Sequence, residues 1–126
     1  MHPPELPVTK TFAYQVTGRD SAVAFESGSV PVLATPKVLA LFEKGTCLVI
    51  DGHLDQDETS VGHTVQLDHL APSFIGDDLE ISATLVEYSR RRCVFECSLI
   101  SNRTQVARAT ISRVVVKRSD FLREHE

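Results

Sequence analysis

Three polar side chains stand in apolar surroundings in this sequence: Thr35, Glu43 and His69. A hydroxyl, a carboxylate and an imidazole are the groups that proteins use for general acid-base and nucleophilic chemistry. Glu43 follows Thr35 by eight residues, which on a helix is a little over two turns and an angular offset of about 80°. The two side chains are therefore expected to face neighbouring sectors of one site.

Each of the three also has an ordinary structural interpretation. Thr35 precedes Pro36 and is a typical N-cap, whose hydroxyl accepts a hydrogen bond from a backbone N–H in the first turn. Glu43 can point to solvent beside Lys44, whereas a buried carboxylate needs a partner. His69 can be an edge histidine, although neutral imidazole can also accept, donate or transfer a proton near pH 7. The pattern alone leaves both interpretations open for each residue.

Metal and nucleotide sites are not expected. His63 and His69 lie six residues apart on one predicted strand, a span of about 20 Å, which is too long for two ligands of one ion. Cys93 and Cys97 lie four residues apart on one face of a predicted strand, which does not resemble a zinc knuckle. Together with Cys47 they make an odd, low count of cysteines, which favours reduced thiols. The sequence contains no glycine-rich phosphate loop. No metal and no cofactor is predicted.

Arginines form two further features. Residues 90–92 are a run of three arginines at a predicted hairpin tip, where they are either solvated or able to attract the phosphates of a nucleotide-bearing substrate. Arg113 shares the parity of Ala109, Ile111 and Val115, which form the apolar face of the last predicted strand. A guanidinium on that face needs a partner.

The elements that must position these residues follow from hydrophobic periodicity. A strand is predicted over residues 8–17, then a loop over 18–32. A helix is predicted from Thr35-Pro36 to about Ile50, ended by Asp51-Gly52, and it is apolar almost all round, so other elements must wrap it. Four more strands joined by short turns predict an antiparallel meander, in which residues 61, 63, 65, 67 and 69 share one face.

Composition sets the class of protein. The chain has 126 residues, of which 42% are hydrophobic and 24% charged, which predicts one globular domain over residues 1–126 with flexible ends at 1–7 and 118–126. The net charge of −4 argues against nucleic-acid binding. No apolar stretch is long enough to span a membrane, and no targeting pattern is visible, so a cytoplasmic location is expected.

Several segments of the sequence together form a pattern that is typical of one protein family. They are Val30-Pro31-Val32-Leu33-Ala34-Thr35-Pro36, Ser60-Val61-Gly62-His63, Val65-x-Leu67-x-His69-Leu70-Ala71-Pro72, Gly76-Asp77-x-Leu79 and Arg91-x-x-x-Phe95. Over roughly residues 8–117 the chain resembles the hotdog-fold thioesterases related to fluoroacetyl-CoA thioesterase. The most specific part of the resemblance is the joint spacing of Thr35, Glu43 and His69, with Gly62 before the histidine strand.

The resemblance implies an α+β hotdog fold, in which a curved antiparallel sheet of about five strands wraps around one long central helix. It implies a homodimer, or a higher hotdog oligomer, with two sites at the interface and acyl-CoA as substrate. The family's catalytic residues map onto Thr35, Glu43 and His69, and its site glycine and arginine map onto Gly62 and Arg113. The motif neighbours assigned to substrate binding are Leu33, Pro36 and Val61.

The implied activity is hydrolysis of a small or short-chain acyl-CoA thioester. Glu43 could act as the base or polarise Thr35, and His69 could position water or protonate the leaving thiolate. Thr35 could be a covalent nucleophile or a group that orients water. The fluoroacetyl-selective members carry aromatic residues just before the catalytic threonine, but residues 26–34 contain none here. Selectivity for fluoroacetate is therefore not expected.

Two other functions fit the same fold. A non-catalytic hotdog module would bind acyl-CoA or another small ligand without turnover, because a fold does not fix a function. A hotdog dehydratase would remove water from a 3-hydroxyacyl-CoA. The combination of Thr35, Glu43 and His69 favours the thioesterase over both.

Overall fold

The structure is a computed structural model that describes residues 1–123. It contains one long helix, α1 (Thr35–Ile50), and a short helix, α2 (Arg118–Leu122). Its strands are β1 (Val8–Gln15), β2 (Glu58–His69), β3 (Asp78–Ser89), β4 (Arg92–Ser101) and β5 (Thr104–Lys117). Among the described residues, no helix is long and apolar enough to cross a membrane.

The five strands form one antiparallel sheet in the order β1-β3-β4-β5-β2, and α1 packs on one face of it. Apolar side chains of the helix and the sheet form one continuous core. Its largest fully buried members are Phe42, Phe95, Leu33, Ile50, Ile81, Leu85, Leu99 and Ile111. This is the expected hotdog architecture, and the all-round apolar character of α1 is explained by its enclosure.

The predicted meander is wrong at its first connection. β2 does not pair with β3 but lies at the other side of the sheet, paired with β5. Residues 70–77 separate the two strands, and they are no tight turn: Ser73 accepts a backbone hydrogen bond from Leu33 at 2.8 Å, and Phe74 bridges to Val32. The connection is thus long enough to pass the start of α1 and to bind the segment that leads into it. β1 and β2 consequently become the two edge strands.

A bulge in β2 corrects the predicted strand parity. Gly62 pairs with Arg113 and Thr64 with Ser112, so His63 is an extra residue without a partner in the register. Because an extra residue reverses the alternation, side chains before and after it change faces. The sequence pattern could not show this shift, since the alternation of apolar residues looks continuous.

The bulge decides which β2 residues face α1. Residues directly opposite each other in an antiparallel pair share a face, and His69 lies opposite the fully buried Ala107. Before the bulge, Gly62 faces the helix, and Val61 is on the opposite face of the sheet. The prediction that Val61 shares the face of His69 is therefore wrong, and His63 is the extra residue of the bulge, whereas the predicted inward direction of His69 is confirmed.

The start of α1 also differs from the prediction. The helix begins at Thr35 itself, its N-cap is Ala34, and no side chain caps it. The backbone oxygen of Ala34 accepts hydrogen bonds from the N–H groups of Lys37 and Val38 at 3.0 and 3.1 Å. Thr35 is therefore not the N-cap, and its hydroxyl is available for another partner. The predicted end of the helix at Ile50 is confirmed.

Both ends of the described chain form defined structure, through a hydrogen bond at the first residues and a short helix at the last ones. The backbone N–H of His2 donates to the oxygen of His53 at 2.7 Å. At the other end, α2 occupies the first five positions of the segment 118–126, and residues 124–126 lie outside the described part of the chain. The flexibility of both ends stays a prediction.

A buried carboxylate fixes the segment that precedes α1. Asp20 is 3% exposed and accepts hydrogen bonds from the hydroxyl of Tyr14 at 2.8 and 2.9 Å and from the backbone N–H of Thr17 at 2.8 Å. The ammonium of Lys37, in the first turn of α1, is 3.5 Å away. Burial alone would raise the pKa of Asp20, but these hydrogen bonds and the nearby charge outweigh it and lower that pKa.

We expect Tyr14→Phe to reduce the free energy of unfolding by about 2 kcal/mol at pH 7, because the Asp20 carboxylate loses a donor. The lowered pKa of Asp20 means that its stabilisation is present above pH 3.8 and is lost as the pH falls further. The difference between the variant and the wild type should thus shrink toward pH 2. Urea unfolding measures both effects.

Tyr88→Phe is the matched control, because no hydrogen bond of the Tyr88 hydroxyl is found within residues 1–123. Equal losses of stability in the two variants would contradict a special role of the Tyr14–Asp20 contact.

Candidate active site

The first residue of α1 and the last residue of β2 meet in the structure. The Thr35 Oγ1 and the His69 Nδ1 are 2.8 Å apart, within hydrogen-bond distance. They are brought together because β2 ends beside the start of α1, where the chain turns into the connection to β3. This contact joins a hydroxyl to an imidazole, as nucleophilic or acid-base chemistry requires.

The environment of His69 favours the neutral ring. Burial lowers the pKa of His69 below its ordinary 6.5, and the nearby backbone of Ala71 opposes this shift only in part. Its Nε2 atom is buried and has no hydrogen-bond partner among the described residues. When Nε2 carries the hydrogen, Nδ1 accepts the hydrogen bond from Thr35 and can take up its proton.

Both groups open onto an uncharged cleft of about 380 Å³. Its walls come from the loop before α1 and from the connection after β2. The lining residues are Ala22, Ser27, Gly28, Val30, Val32, Leu33, Thr35, His69, Leu70, Ala71 and Pro72. None of them carries a fixed charge, and small or aliphatic side chains predominate. An apolar acyl group is the ligand that such a wall suits.

The third predicted residue, Glu43, lies elsewhere on the helix. Its Oε2 atom is 3.5 Å from Nη1 of Arg113, and its side chain is 39% exposed. A Cβ atom added to Gly62 would come within 2.8 Å of the same Oε2 atom. Glu43 therefore lies directly against the glycine of β2, and a side chain at Gly62 would displace the carboxylate.

The structure thus joins two of the three predicted residues and separates the third. Thr35 and Glu43 are about 12 Å apart along the helix axis. Gly62, which lies against Glu43, is seven residues before His69 on the same strand. Within residues 1–123, no hydrogen bond connects Glu43 to either of the other two. One chain therefore carries two separate groups of polar side chains, Thr35–His69 at the end of β2 and Glu43–Arg113 beside Gly62. We refer to each of these groups as a half-site.

The other predicted substrate-binding residues have different positions. Leu33 is buried and lines the cleft, while Pro36 is exposed in the first turn of α1. Val61 lies on the far face of the sheet. In the arginine run, Arg91 is bound to Glu58 at 2.8 Å and to a backbone oxygen of β5.

No metal centre is visible in the described part of the chain, where no group of three or more His, Cys, Asp or Glu side chains could hold an ion. Apart from Leu33, Thr35 and His69, the sequence pattern does not reveal the residues that line the cleft. Ala22 and Gly28 lie in a segment without periodicity, so only its turn formers were visible. Ser60 belongs to the segment Ser60-Val61-Gly62-His63 that carries the family resemblance, but the hydrophobic pattern assigns it no role, because the bulge that turns it toward α1 leaves no trace in that pattern.

We expect the imidazole of His69 to titrate below pH 6.5, because burial disfavours its charged form. Protonation of His69 therefore destabilises the folded state. The contribution of His69 to the free energy of unfolding is fully present above pH 6.5 and is lost as the pH falls through the lowered pKa. The measurement is an NMR titration of the histidine ring protons, with the His69 signal assigned by its loss in His69→Gln. A midpoint at or above 6.5 would contradict the burial argument.

One known protein family matches most of this chain. The profile of the fluoroacetyl-CoA-specific thioesterase family, FlK, matches residues 16–119. This range includes both half-sites and all of α1. Comparison with curated proteins returns no match.

Solved structures with the same fold include three informative ones. A variant of FlK in complex with fluoroacetate and CoA is 18% identical, with a TM-score of 0.87 over 94% of this chain and 99% of that one. A thioesterase superfamily member from Thermus thermophilus is 20% identical, with a TM-score of 0.91 over 99% and 93%. A hot-dog-like protein from Thermanaerovibrio acidaminovorans is 24% identical, with a TM-score of 0.85 over 94% and 87%.

At these identities the solved structures establish the fold, and the family profile establishes descent. The profile covers most of the chain, including the Thr35–His69 pair and the Glu43–Arg113 pair. The chain therefore belongs to the fluoroacetyl-CoA-specific thioesterase family.

Proposed function

We propose that this protein hydrolyses a small or short-chain acyl-CoA thioester to the free acid and CoA. The observation that carries the proposal is the hydrogen bond between Thr35 and His69 at an uncharged cleft. Membership of a thioesterase family supports it. The cleft receives the acyl group, and the hydroxyl and imidazole face its carbonyl carbon.

A second copy of the chain completes the site. β2 pairs with β5 along one side only, and Val65 on its helix-facing side is 44% exposed. Antiparallel pairing of β2 with a copy of itself, centred near Val65, satisfies the free edge and is the two-fold arrangement that closes an assembly. Since Gly62 lies three residues before Val65 and His69 four residues after it, this pairing places Glu43 of the partner subunit beside His69.

The completed site supplies each step of hydrolysis. Glu43 of the partner subunit takes a proton from the attacking water or from Thr35 while a C–O bond forms at the carbonyl carbon. The oxyanion that develops lies near the N-terminal end of α1, whose partial positive charge stabilises it. The C–S bond then breaks as the carbonyl re-forms, and the proton that Glu43 of the partner subunit collected passes to the leaving thiolate, while the neutral ring of His69 orients the hydroxyl or the water. Thr35 is either the group that orients the attacking water or the nucleophile, in which case a water molecule then attacks the acyl-threonine ester and releases the acid and the Thr35 hydroxyl.

The cleft favours an uncharged aliphatic acyl group. It offers no cation for a second carboxylate, and its walls are formed by side chains such as Ala22 and Val32. Phe25 is 41% exposed and does not line the cleft. With no aromatic side chain in residues 26–34, the specialised fluoroacetyl selectivity of FlK is not proposed for this chain.

The direct test is a panel of acyl-CoA substrates with release of free thiol as the readout. We expect turnover of short aliphatic acyl-CoA and a reduction of kcat by about 10²- to 10⁴-fold in Thr35→Val, Glu43→Gln and His69→Ala, because each removes a group that acts on the reacting atoms. His53→Ala, a histidine outside both half-sites, is the matched control.

The proposal fails if no member of the panel is hydrolysed, or if both Glu43→Ala and His69→Ala keep full activity. Tight binding of acyl-CoA without thiol release would instead indicate a non-catalytic binding module. Release of water from a 3-hydroxyacyl-CoA would indicate a dehydratase.

Mixed dimers test the proposed sharing of the site. A heterodimer of one Glu43→Ala chain and one His69→Ala chain has one site with both substitutions and one site with neither, if Glu43 acts across the interface. We therefore expect an isolated heterodimer to recover about half of the wild-type activity, since one of two equivalent sites is intact. Differently tagged chains allow its purification.

If all three groups acted within one chain, every site of this heterodimer would carry a substitution. The absence of recovery in a heterodimer of correct mass would thus contradict the shared site while leaving thioesterase activity itself untouched.

A further inference from the structure

Ser60 holds the arginine that accompanies Glu43. Arg113 is 7% exposed, and its Nε donates to the Ser60 hydroxyl at 2.9 Å. Its Nη2 donates to the backbone oxygen of the same serine at 3.0 Å. A buried guanidinium is stable only when its donors are satisfied, so Ser60 is the principal partner of this side chain.

The contact between Arg113 and Glu43 is looser than the contacts to Ser60. The Nη1–Oε2 distance is 3.5 Å, which indicates attraction between charges rather than a well-formed hydrogen bond. Because the guanidinium is planar and rigid, fixing Nε and Nη2 also fixes the position of Nη1. Ser60 thus determines where the positive charge stands relative to the carboxylate.

The bulge in β2 makes this arrangement possible. Ser60 and Gly62 both precede the bulge and both face α1, opposite Val115 and Arg113 of β5. Ser60 supplies the hydroxyl to Arg113, while Gly62 leaves space for the Glu43 carboxylate. One short stretch of strand therefore orients the cation and makes room for the anion.

We propose that Ser60 is a positioning residue for Glu43, acting through Arg113. Ser60 orients the guanidinium, and the guanidinium holds the carboxylate in the direction needed at the dimer interface. This role rests on the proposed function only for its effect on turnover, because the Ser60–Arg113 contact exists independently of substrate.

The test compares Ser60→Ala with Ser60→Thr, which keeps the hydroxyl. We expect Ser60→Ala to lower kcat about tenfold, as loss of one hydrogen bond to a charged group predicts, with KM within twofold of wild type. Ser60→Thr should restore most of kcat. Thr59→Ala is the matched control, because Thr59 neighbours Ser60 on the other face of the strand.

A double-mutant cycle separates positioning from a general structural role. If Ser60 acts through the Glu43 carboxylate, Ser60→Ala should cause no further loss in a Glu43→Gln background. A tenfold loss in both backgrounds would overturn the proposal, as would unchanged kcat in a folded Ser60→Ala protein.

A measurement without substrate keeps this outcome distinct from failure of the proposed function. The Arg113 Nε–H signal in ¹⁵N NMR should exchange slowly with water in the wild type and in Ser60→Thr, and at least tenfold faster in Ser60→Ala. Unchanged exchange in Ser60→Ala would overturn the proposal whether or not any acyl-CoA is hydrolysed.

Discussion

The hydrogen bond between Thr35 and His69 ties the beginning of the buried helix to the end of an edge strand. It can form only because the connection between β2 and β3 passes the start of α1 instead of folding back as a hairpin. Every other feature of the cleft depends on this path. The connection supplies one wall, the loop fixed by Asp20 supplies the other, and the two polar groups lie between them.

Within one chain, the uncharged pair Thr35–His69 lies apart from the charged pair Glu43–Arg113. His69 lies where burial favours the uncharged ring, next to a hydroxyl and aliphatic walls. Glu43 lies two turns away, beside the guanidinium of Arg113 and partly open to water. A carboxylate placed among the aliphatic walls of a single chain would have no compensating cation. In the proposed dimer, the carboxylate meets the cleft only across the interface, where it keeps the guanidinium of Arg113 beside it.

The sequence predicts most of the helices and strands and part of the candidate site, and each wrong prediction has a physical cause. The apolar helix, the strands and the direction of His69 follow from periodicity, which reports burial. The pairing of β2 with β5 does not follow from periodicity, because periodicity shows which face of a strand is buried but not which strand lies next to it. The bulge at His63 is equally hidden, since one extra residue changes the facing of Val61 without changing its type. Thr35 was expected as an N-cap, but the imidazole bonds its hydroxyl instead.

The absence of a fixed charge in the cleft walls also affects product release in the proposed reaction. A thioester enters as a neutral group, whereas the acid that leaves is an anion at physiological pH. Transfer of an anion from water to an aliphatic wall is unfavourable without a paired cation. For the proposed reaction, the lining therefore favours the ester over the carboxylate product, so the product should leave readily and inhibit the enzyme only weakly.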